Sequence, residues 1–228
     1  MIIIYSRKKI TNIYNDHFIS KINKIREKFF PGRVNHMDII NMVFKRVENQ
    51  AKFPHINIEG TKSIIKKMKV SNSVGHDQSS IKIFKRLNNE ISPIIMHLIN
   101  TIIETAVYPD ILKISMMHPI LKPDKDPLDP DAYQPINNLC TLDKIIEEYF
   151  KQQIQKHLDI NNIIDKHHHG SRKNHGTNTA LAQINYEIST RYEKYNYTSI
   201  LQTDLSAAFD TVDTFKLIDK LDFYGVRK

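Results

Sequence analysis

Two aspartates near the end of the chain stand in a pattern that suits metal chemistry. The stretch Tyr197–Leu205 predicts a short buried strand that carries the carboxylate of Asp204 at its end, and Asp210 follows six residues later across a turn of small residues. Hard divalent cations such as Mg²⁺ bind carboxylate oxygens together with substrate phosphates. The alternative is structural, because an aspartate after a strand commonly caps the next helix. The residues alone leave both interpretations open.

The elements that must position these aspartates follow from the spacing of apolar residues. Alternation from Ile114 to Ile120 predicts a strand over Leu112–Lys122, followed by a polar loop. Thr61 is a candidate cap for a short basic helix, and Ile94, Ile95, Leu98 and Ile102 are the expected buried side of a longer one. Helical spacing predicts helices around residues 18–29, 39–47, 61–69, 83–87, 91–105, 141–158, 177–192 and 215–221. Helices come first and strands mix with helices later, which predicts an α+β fold.

The positive charge of the chain is concentrated in its first third. The 228 residues hold 33 Lys and Arg against 25 Asp and Glu, and residues 1–70 alone hold 15 against 5. A basic region of this kind suits a polyanionic partner, although lysines also serve simply to solvate helix faces. The single cysteine, Cys140, excludes an internal disulfide framework and a multi-cysteine zinc site, and it is expected to be a small buried apolar residue.

Neither a membrane span nor a secretory signal is evident from the sequence. No apolar run approaches the roughly 20 residues that a span needs, and the apolar start of the chain is too short for a signal-peptide core. These features predict an intracellular protein that is not secreted and has no membrane partner.

Several short blocks together resemble one protein family. Asp204–Asp213 (DLSAAFDTVD) resembles the first catalytic motif of reverse transcriptases from non-LTR (LINE, jockey-like) retrotransposons. Six further blocks occur in the order expected for that family: SVGHD at 73–77, YPDILK at 108–113, PILK at 119–122, YQPI at 133–136, GSRKNHGTNTAL at 170–181 and FYGVR at 223–227. Each block is weak alone, but the ordered set over about residues 55–228 is specific.

The resemblance implies a right-hand polymerase fold. Residues 60–228 would form a partial reverse transcriptase domain with the fingers and the first part of the palm, preceded by a basic helical region at 1–59. Asp204 would be the catalytic carboxylate and a metal ligand, with the backbone carbonyl of Leu205 beside it. The metal would be Mg²⁺, with Mn²⁺ as an alternative, in a two-metal site.

The resemblance also implies residues that contact nucleotide and template. Lys122 matches the fingers lysine that meets the incoming triphosphate, and Gln134 replaces the family's usual arginine there. The backbone amides of Ala207 and Ala208 would face the triphosphate, and Phe209 would lie under the sugar and exclude a 2′-hydroxyl.

Arg172 is the implied template contact, in a block where Ser171 replaces a phenylalanine. Gln78 similarly replaces a turn glycine of the family. The implied partners are an RNA template, a DNA primer and deoxynucleoside triphosphates.

One departure from the family pattern bears on activity. The family's aromatic-x-Asp-Asp hairpin, which supplies further metal carboxylates, has no match in the 228 residues. We therefore expect a truncated polymerase domain that is inactive alone, with a separate chain as a possible source of the rest of the palm. The alternatives are a non-catalytic module that binds RNA or DNA, and an inert retroelement fragment.

Other polar clusters have weaker claims to function. His167, His168 and His169, with His175 nearby, suggest either a transition-metal site or, more simply, a polar loop. Asp124, Asp126, Asp129 and Asp131 lack the glycine and the terminal glutamate of a calcium loop and are expected in a fingers hairpin loop.

Overall fold

The computed structural model describes residues 7–29, 36–195, 197–205 and 207–227. The described helices are α1 (Arg7–Phe29), α2 (His36–Val43), α3 (Ile58–Lys67), α4 (Ile81–Arg86), α5 (Asn88–Thr105), α6 (Thr141–Ile160), α7 (Thr177–Tyr195) and α8 (Thr214–Phe223). Two strands, β1 (Met116–Leu121) and β2 (Tyr133–Asn138), form the sheet of this part of the chain, and 3₁₀ turns cover Asp110–Lys113 and Pro130–Ala132. The predicted mixture of helix and strand is confirmed, while the right-hand polymerase fold stays a prediction.

The core lies where α3, α5 and α6 pack together. Each helix buries isoleucines at helical spacing, as amphipathic helices do against a core. The buried cluster comprises Ile64, Ile65, Ile95, Ile99, Ile102, Leu112, Cys140, Ile145, Ile146 and Tyr149. Cys140 is 2% exposed, which confirms that it is a buried apolar residue. Ile94 is 70% exposed, so the buried side of α5 uses Ile99 instead.

The start of α3 differs from the prediction. Asn57, not Thr61, caps the helix, and its side-chain oxygen accepts a hydrogen bond of 2.8 Å from the Gly60 amide. Thr61 is buried within the first turn, and its hydroxyl donates to the Asn57 carbonyl. Asparagine is as good a cap as threonine, so the helix begins earlier and Thr61 is free to face the core.

The two strands form an antiparallel hairpin. Pairing runs from Met116 opposite Asn138 to Leu121 opposite Tyr133. Just beyond the strands, the Lys122 amide donates to the Ala132 carbonyl at 2.9 Å. The predicted strand is thus confirmed over most of its length, although its first residues belong to a 3₁₀ turn. The aspartates at 124–131 lie in the hairpin loop, as expected.

The FYGVR block docks onto a segment from the first quarter of the chain. The Val47 amide donates to the Phe223 carbonyl at 3.1 Å, and the Ala51 amide donates to the Gly225 carbonyl at 2.8 Å. The Tyr224 carbonyl lies 2.7 Å from Nε2 of His157, which is buried on α6. These hydrogen bonds join sequence-distant segments to the second half of α6.

The strand predicted over Tyr197–Leu205 is wrong. These residues are irregular, and Leu201 is 90% exposed. A strand needs a neighbour for its backbone hydrogen bonds, and the only paired strands within the described residues are β1 and β2. The preceding helix, α7, likewise buries none of its described side chains.

No helix in the described ranges has the length and apolar character needed to span a membrane.

Candidate nucleotide and metal site

The hairpin brings Lys122 and Gln134 onto one exposed face. Gln134 pairs with Ile120, and Lys122 lies one pleat beyond Ile120 on the same side. Both side chains are exposed, and Nζ of Lys122 donates to the Asp131 carbonyl at 3.2 Å. A cation and an amide on one open face can hydrogen-bond phosphate oxygens. Lys122 and Gln134 are twelve residues apart in the sequence, and the pairing of β1 with β2 places them on the same face.

Helix α1 packs near the hairpin's loop end. The Tyr14 and Tyr133 rings meet edge to face with centroids 5.0 Å apart, and burial together with this neighbour raises the pKa of Tyr14 to about 12. Lys21 forms an ion pair with Asp131, and Nε2 of His17 lies 3.3 Å from the same carboxylate. The hydrogen bond from Lys21 lowers the pKa of Asp131.

The same helix reaches the segment that follows Asp204. Nη2 of Arg26 donates to the Val212 carbonyl at 2.9 Å and to the Asp210 carbonyl at 3.4 Å. Through Lys21 and Arg26, α1 therefore contacts both segments in which the sequence places site residues. No local sequence pattern predicts this role of α1, because Lys21 lies 110 residues from Asp131 and Arg26 lies 186 residues from Val212.

Asp204 lies in an exposed irregular segment, with Leu205 exposed beside it. Ala207 and Ala208 begin a turn that is closed by a hydrogen bond of 3.1 Å from the Thr211 amide to the Ala207 carbonyl. The Phe209 ring is 93% exposed. These residues are close in the chain, but no described contact joins them to Lys122 or Gln134.

The described residues do not gather a metal-ligand set around Asp204. Across residues 7–29, 36–195, 197–205 and 207–227, no group of three His, Cys, Asp or Glu side chains is placed to hold an ion. Mg²⁺ needs several oxygen ligands in near-octahedral geometry, and one carboxylate does not meet that need. The residues present therefore do not fit a complete two-metal site.

The histidine-rich segment is a hydrogen-bonded polar loop packed on α7. The two ring nitrogens of His169 lie 2.9 Å from the Thr179 hydroxyl and 2.8 Å from the Gln183 side-chain oxygen. Arg172 is half-buried, and its Nη1 donates to the Asp165 carbonyl at 3.2 Å within the same loop. These contacts favour the polar-loop interpretation of the histidines, and the template contact of Arg172 stays a prediction.

A part-buried polar pair, Tyr108 and Asp143, leaves no signal in the sequence. The Tyr108 hydroxyl donates to the carboxylate of Asp143, which is buried in the first turn of α6. Burial raises the pKa of Tyr108, and the adjacent Asp143 raises it further. The two residues lie 35 positions apart, and no local pattern signals that they meet.

Replacing Tyr108 by phenylalanine is expected to destabilise the chain by about 2 kcal/mol, because a buried carboxylate loses its donor. Since the raised pKa favours the neutral phenol in the folded state, the wild-type stabilisation is complete below pH 10 and falls as the pH rises above it. Tyr108→Phe should therefore also flatten the alkaline decline of stability, measured by urea unfolding at pH 7 to 11.

Tyr186→Phe is the matched control for this prediction, since the Tyr186 side chain is exposed. It should leave both the neutral stability and the alkaline decline unchanged. Equal stabilities of the two variants at pH 7 would contradict the assigned Tyr108–Asp143 bond.

The chain is similar to polymerases encoded by Drosophila mobile elements. It is 27% identical over 157 residues to the RNA-directed DNA polymerase from mobile element jockey of Drosophila funebris, with 69% of this chain and 17% of the relative covered. It is 24% identical over 194 residues to the jockey polymerase of Drosophila melanogaster, with 83% and 21% covered. A probable RNA-directed DNA polymerase from transposon X-element of Drosophila melanogaster is 28% identical over 138 residues, with 60% and 15% covered.

The chain thus spans about a fifth, or less, of the length of these curated relatives. No protein-family model matches it. The resemblance predicted from the ordered motifs is nevertheless confirmed: over most of its length the chain is similar to the RNA-directed DNA polymerases of jockey-type non-LTR retrotransposons.

Proposed function

We propose that this chain is the fingers and the start of the palm of a retroelement reverse transcriptase. In this proposal residues 60–228 belong to the polymerase domain, and residues 1–59 form the region that precedes it. The observation that carries the proposal is the similarity to the jockey polymerases, which covers up to 83% of the chain. The complete domain would add deoxynucleotides to the 3′-hydroxyl of a DNA primer on an RNA template, inside the cell, in the nucleus or the cytoplasm.

The hairpin supports the assignment of the nucleotide contacts. Lys122 and Gln134 share an exposed face, where the ammonium group would neutralise phosphate charge and the amide would donate a hydrogen bond. Gln134 provides neither the charge nor the two-pronged geometry of an arginine, so triphosphate binding should be weaker than with arginine. Ala207 and Ala208 lie in an exposed turn, where their backbone amides would face the triphosphate.

The metal site is proposed to be shared with residues outside these 228. Asp204 would contribute one carboxylate and Leu205 a carbonyl oxygen, and the remaining ligands would come from an x-Asp-Asp hairpin elsewhere. Mg²⁺ is the proposed ion, with Mn²⁺ as a substitute, and it would neutralise charge on the phosphates. The exposed apolar side chains between Ile200 and Phe215 are consistent with a surface that the rest of the palm covers.

Primer extension tests this proposal. The 228-residue chain alone is expected to give no extension of a DNA primer on an RNA template with Mg²⁺. A fusion of this chain to the remaining palm and thumb of a jockey polymerase should extend the primer, and Asp204→Asn should reduce that extension to background.

Asp210→Asn is the control, because both aspartates are exposed and only Asp204 is a proposed metal ligand. Extension by the chain alone that Asp204→Asn abolishes would contradict the shared metal site. An active fusion that tolerates Asp204→Asn would overturn the catalytic assignment.

A further inference from the structure

A cleft lies among residues that have no assigned role in the proposed polymerase site. It is formed by the C-terminal end of α3, the loop after it and the first turns of α6, and it has a volume of about 330 Å³. Lys67, Lys69 and Lys144 line it together with the hydroxyl side chains of Ser71 and Ser73. The cleft shares no lining residue with the Lys122–Gln134 face or with the Asp204 segment.

The cleft carries an excess of positive charge. Its three lysines face one acidic lining residue, Glu148. The Glu148 carboxylate already accepts hydrogen bonds of 3.1 Å from Lys151 and from Gln152. Burial alone would raise the pKa of Glu148, but these hydrogen bonds lower it overall, so the glutamate is occupied and ionised. The charge of the three lysines is therefore only partly balanced.

The cleft lysines have few partners within the protein that would compete with a bound anion. Nζ of Lys144 donates to the Ser73 hydroxyl at a long 3.3 Å, and its charge also acts on the carboxylate of Glu147, which does not line the cleft. Within the described part of the chain, the ion pairs found involve neither Lys67 nor Lys69. Ammonium groups that have no carboxylate partner in the protein are suited to pair with an anion from solvent.

The positive surface continues past the cleft along α4. Lys82 donates to the side chain of Asn72 at 3.0 Å, and Lys85 donates to the Lys66 carbonyl at 2.8 Å. Both contacts are to neutral groups on the cleft's own rim, so the charge of these lysines stays available. The cationic surface is thus longer than one phosphate group requires, which favours an extended polyanion over a single small anion.

The lining also indicates how that polyanion is recognised. No aromatic side chain is among the residues that line the cleft, so base stacking has no platform there. Lysine ammonium and serine hydroxyl groups are typical contacts to phosphate oxygens, which position a nucleic acid without reading its sequence. We infer that this cleft binds the phosphodiester backbone of a nucleic-acid strand through Lys67, Lys69 and Lys144.

This inference deepens the proposed function, because it assigns a strand-binding site to the proposed polymerase segment. Its test is separate, since it requires binding only and no nucleotide addition. Failure of primer extension would leave the cleft assignment intact, and loss of cleft binding would leave the role of Asp204 intact.

The experiment is fluorescence anisotropy with the full 228-residue chain and labelled 12-nucleotide single-stranded RNA and DNA of mixed sequence. Substituting Lys67, Lys69 and Lys144 together by alanine should weaken binding roughly tenfold at low salt, equally for different sequences. The slope of log affinity against log salt should become shallower by about 2, as expected for three lost contacts to a single strand. Asp204→Asn should bind as the wild type does.

A triple substitution of Lys24, Lys52 and Lys166 by alanine is the matched control, because it removes the same charge from exposed positions elsewhere. Equal weakening by both triple variants would overturn the inference, because it would show only an effect of net charge. Binding of inorganic phosphate that needs the three cleft lysines, without oligonucleotide binding, would also overturn it.

Circular dichroism and urea unfolding should show that each triple variant remains folded. Lys69→Gln, a single change in the exposed loop, is the second test variant. It should reduce the salt slope by about 0.7, and an unchanged slope would contradict the site.

Discussion

Gly75→Ala is expected to destabilise the chain by about 3 kcal/mol, at the upper end of what overpacking a close contact usually causes. A Cβ atom at Gly75 would lie 2.5 Å from both Cα and N of Cys140 and 2.8 Å from the Leu139 carbonyl carbon. These are backbone atoms, so no side-chain rotation relieves the clash. The loop of the SVGHD block would have to move away from the start of α6.

That movement would break further contacts between the loop and α6. The Thr141 hydroxyl donates to the Ser79 carbonyl at 2.8 Å, and Lys144 donates to Ser73 across the same boundary. Urea unfolding followed by circular dichroism measures the loss. Because the loop forms one wall of the cationic cleft, oligonucleotide affinity should fall in the same variant.

Gly170→Ala provides the control, since a Cβ there meets no atom within 4 Å. We expect its stability to stay within about 0.5 kcal/mol of the wild type. If Gly75→Ala were equally mild, the close approach of this loop to α6 would be wrong.

The sequence predicted the helices of the core well, for a physical reason. A helix satisfies its backbone hydrogen bonds internally, so apolar spacing and a capping residue in one short window are enough to indicate it. For example, the apolar spacing predicts a helix from Thr141 to Leu158, and α6 runs from Thr141 to Ile160. The alternation in β1 also predicts the first strand of the hairpin, whereas the residues of its partner β2 carry no prediction of a strand.

Features that depend on distant partners were not predictable in this way. The pairing of Tyr108 with Asp143 and of Arg26 with the Val212 carbonyl leaves no local pattern. The prediction of a strand at 197–205 was wrong for the same reason. Its apolar spacing suited a strand, but within the described residues no other strand pairs with it.

One departure from the family pattern gains a structural explanation. Gln78, where the family usually has a turn glycine, has a φ of +56° and lies in the left-handed region. Non-glycine residues pay roughly 1–2 kcal/mol to adopt that region. The turn is kept, and its amide still donates to the Gly75 carbonyl at 3.1 Å. Gln78 therefore holds this turn at a conformational cost that a glycine would not have.

Gly225→Ala is expected to have the largest effect on stability, about 4 kcal/mol, because two penalties combine. Gly225 has a φ of +88°, which side chains disfavour, and an added Cβ would lie 2.2 Å from the Asn49 carbonyl oxygen. It would also lie 3.0 Å from Nε2 of His157, the atom that bonds the Tyr224 carbonyl. The FYGVR segment would therefore separate from both residues 47–51 and α6.

Amide hydrogen exchange distinguishes this local separation from general unfolding. The Val47 and Ala51 amides, which donate to Phe223 and Gly225, should exchange much faster in Gly225→Ala, while the amides of α5 change less. Gly176→Ala is the control, since its Cβ would meet nothing within 4 Å. Slow exchange at Val47 and Ala51 in Gly225→Ala would contradict the docking. Because Gly75 abuts the start of α6 and Gly225 its second half, the two substitutions together test whether this helix joins the first and last motif blocks.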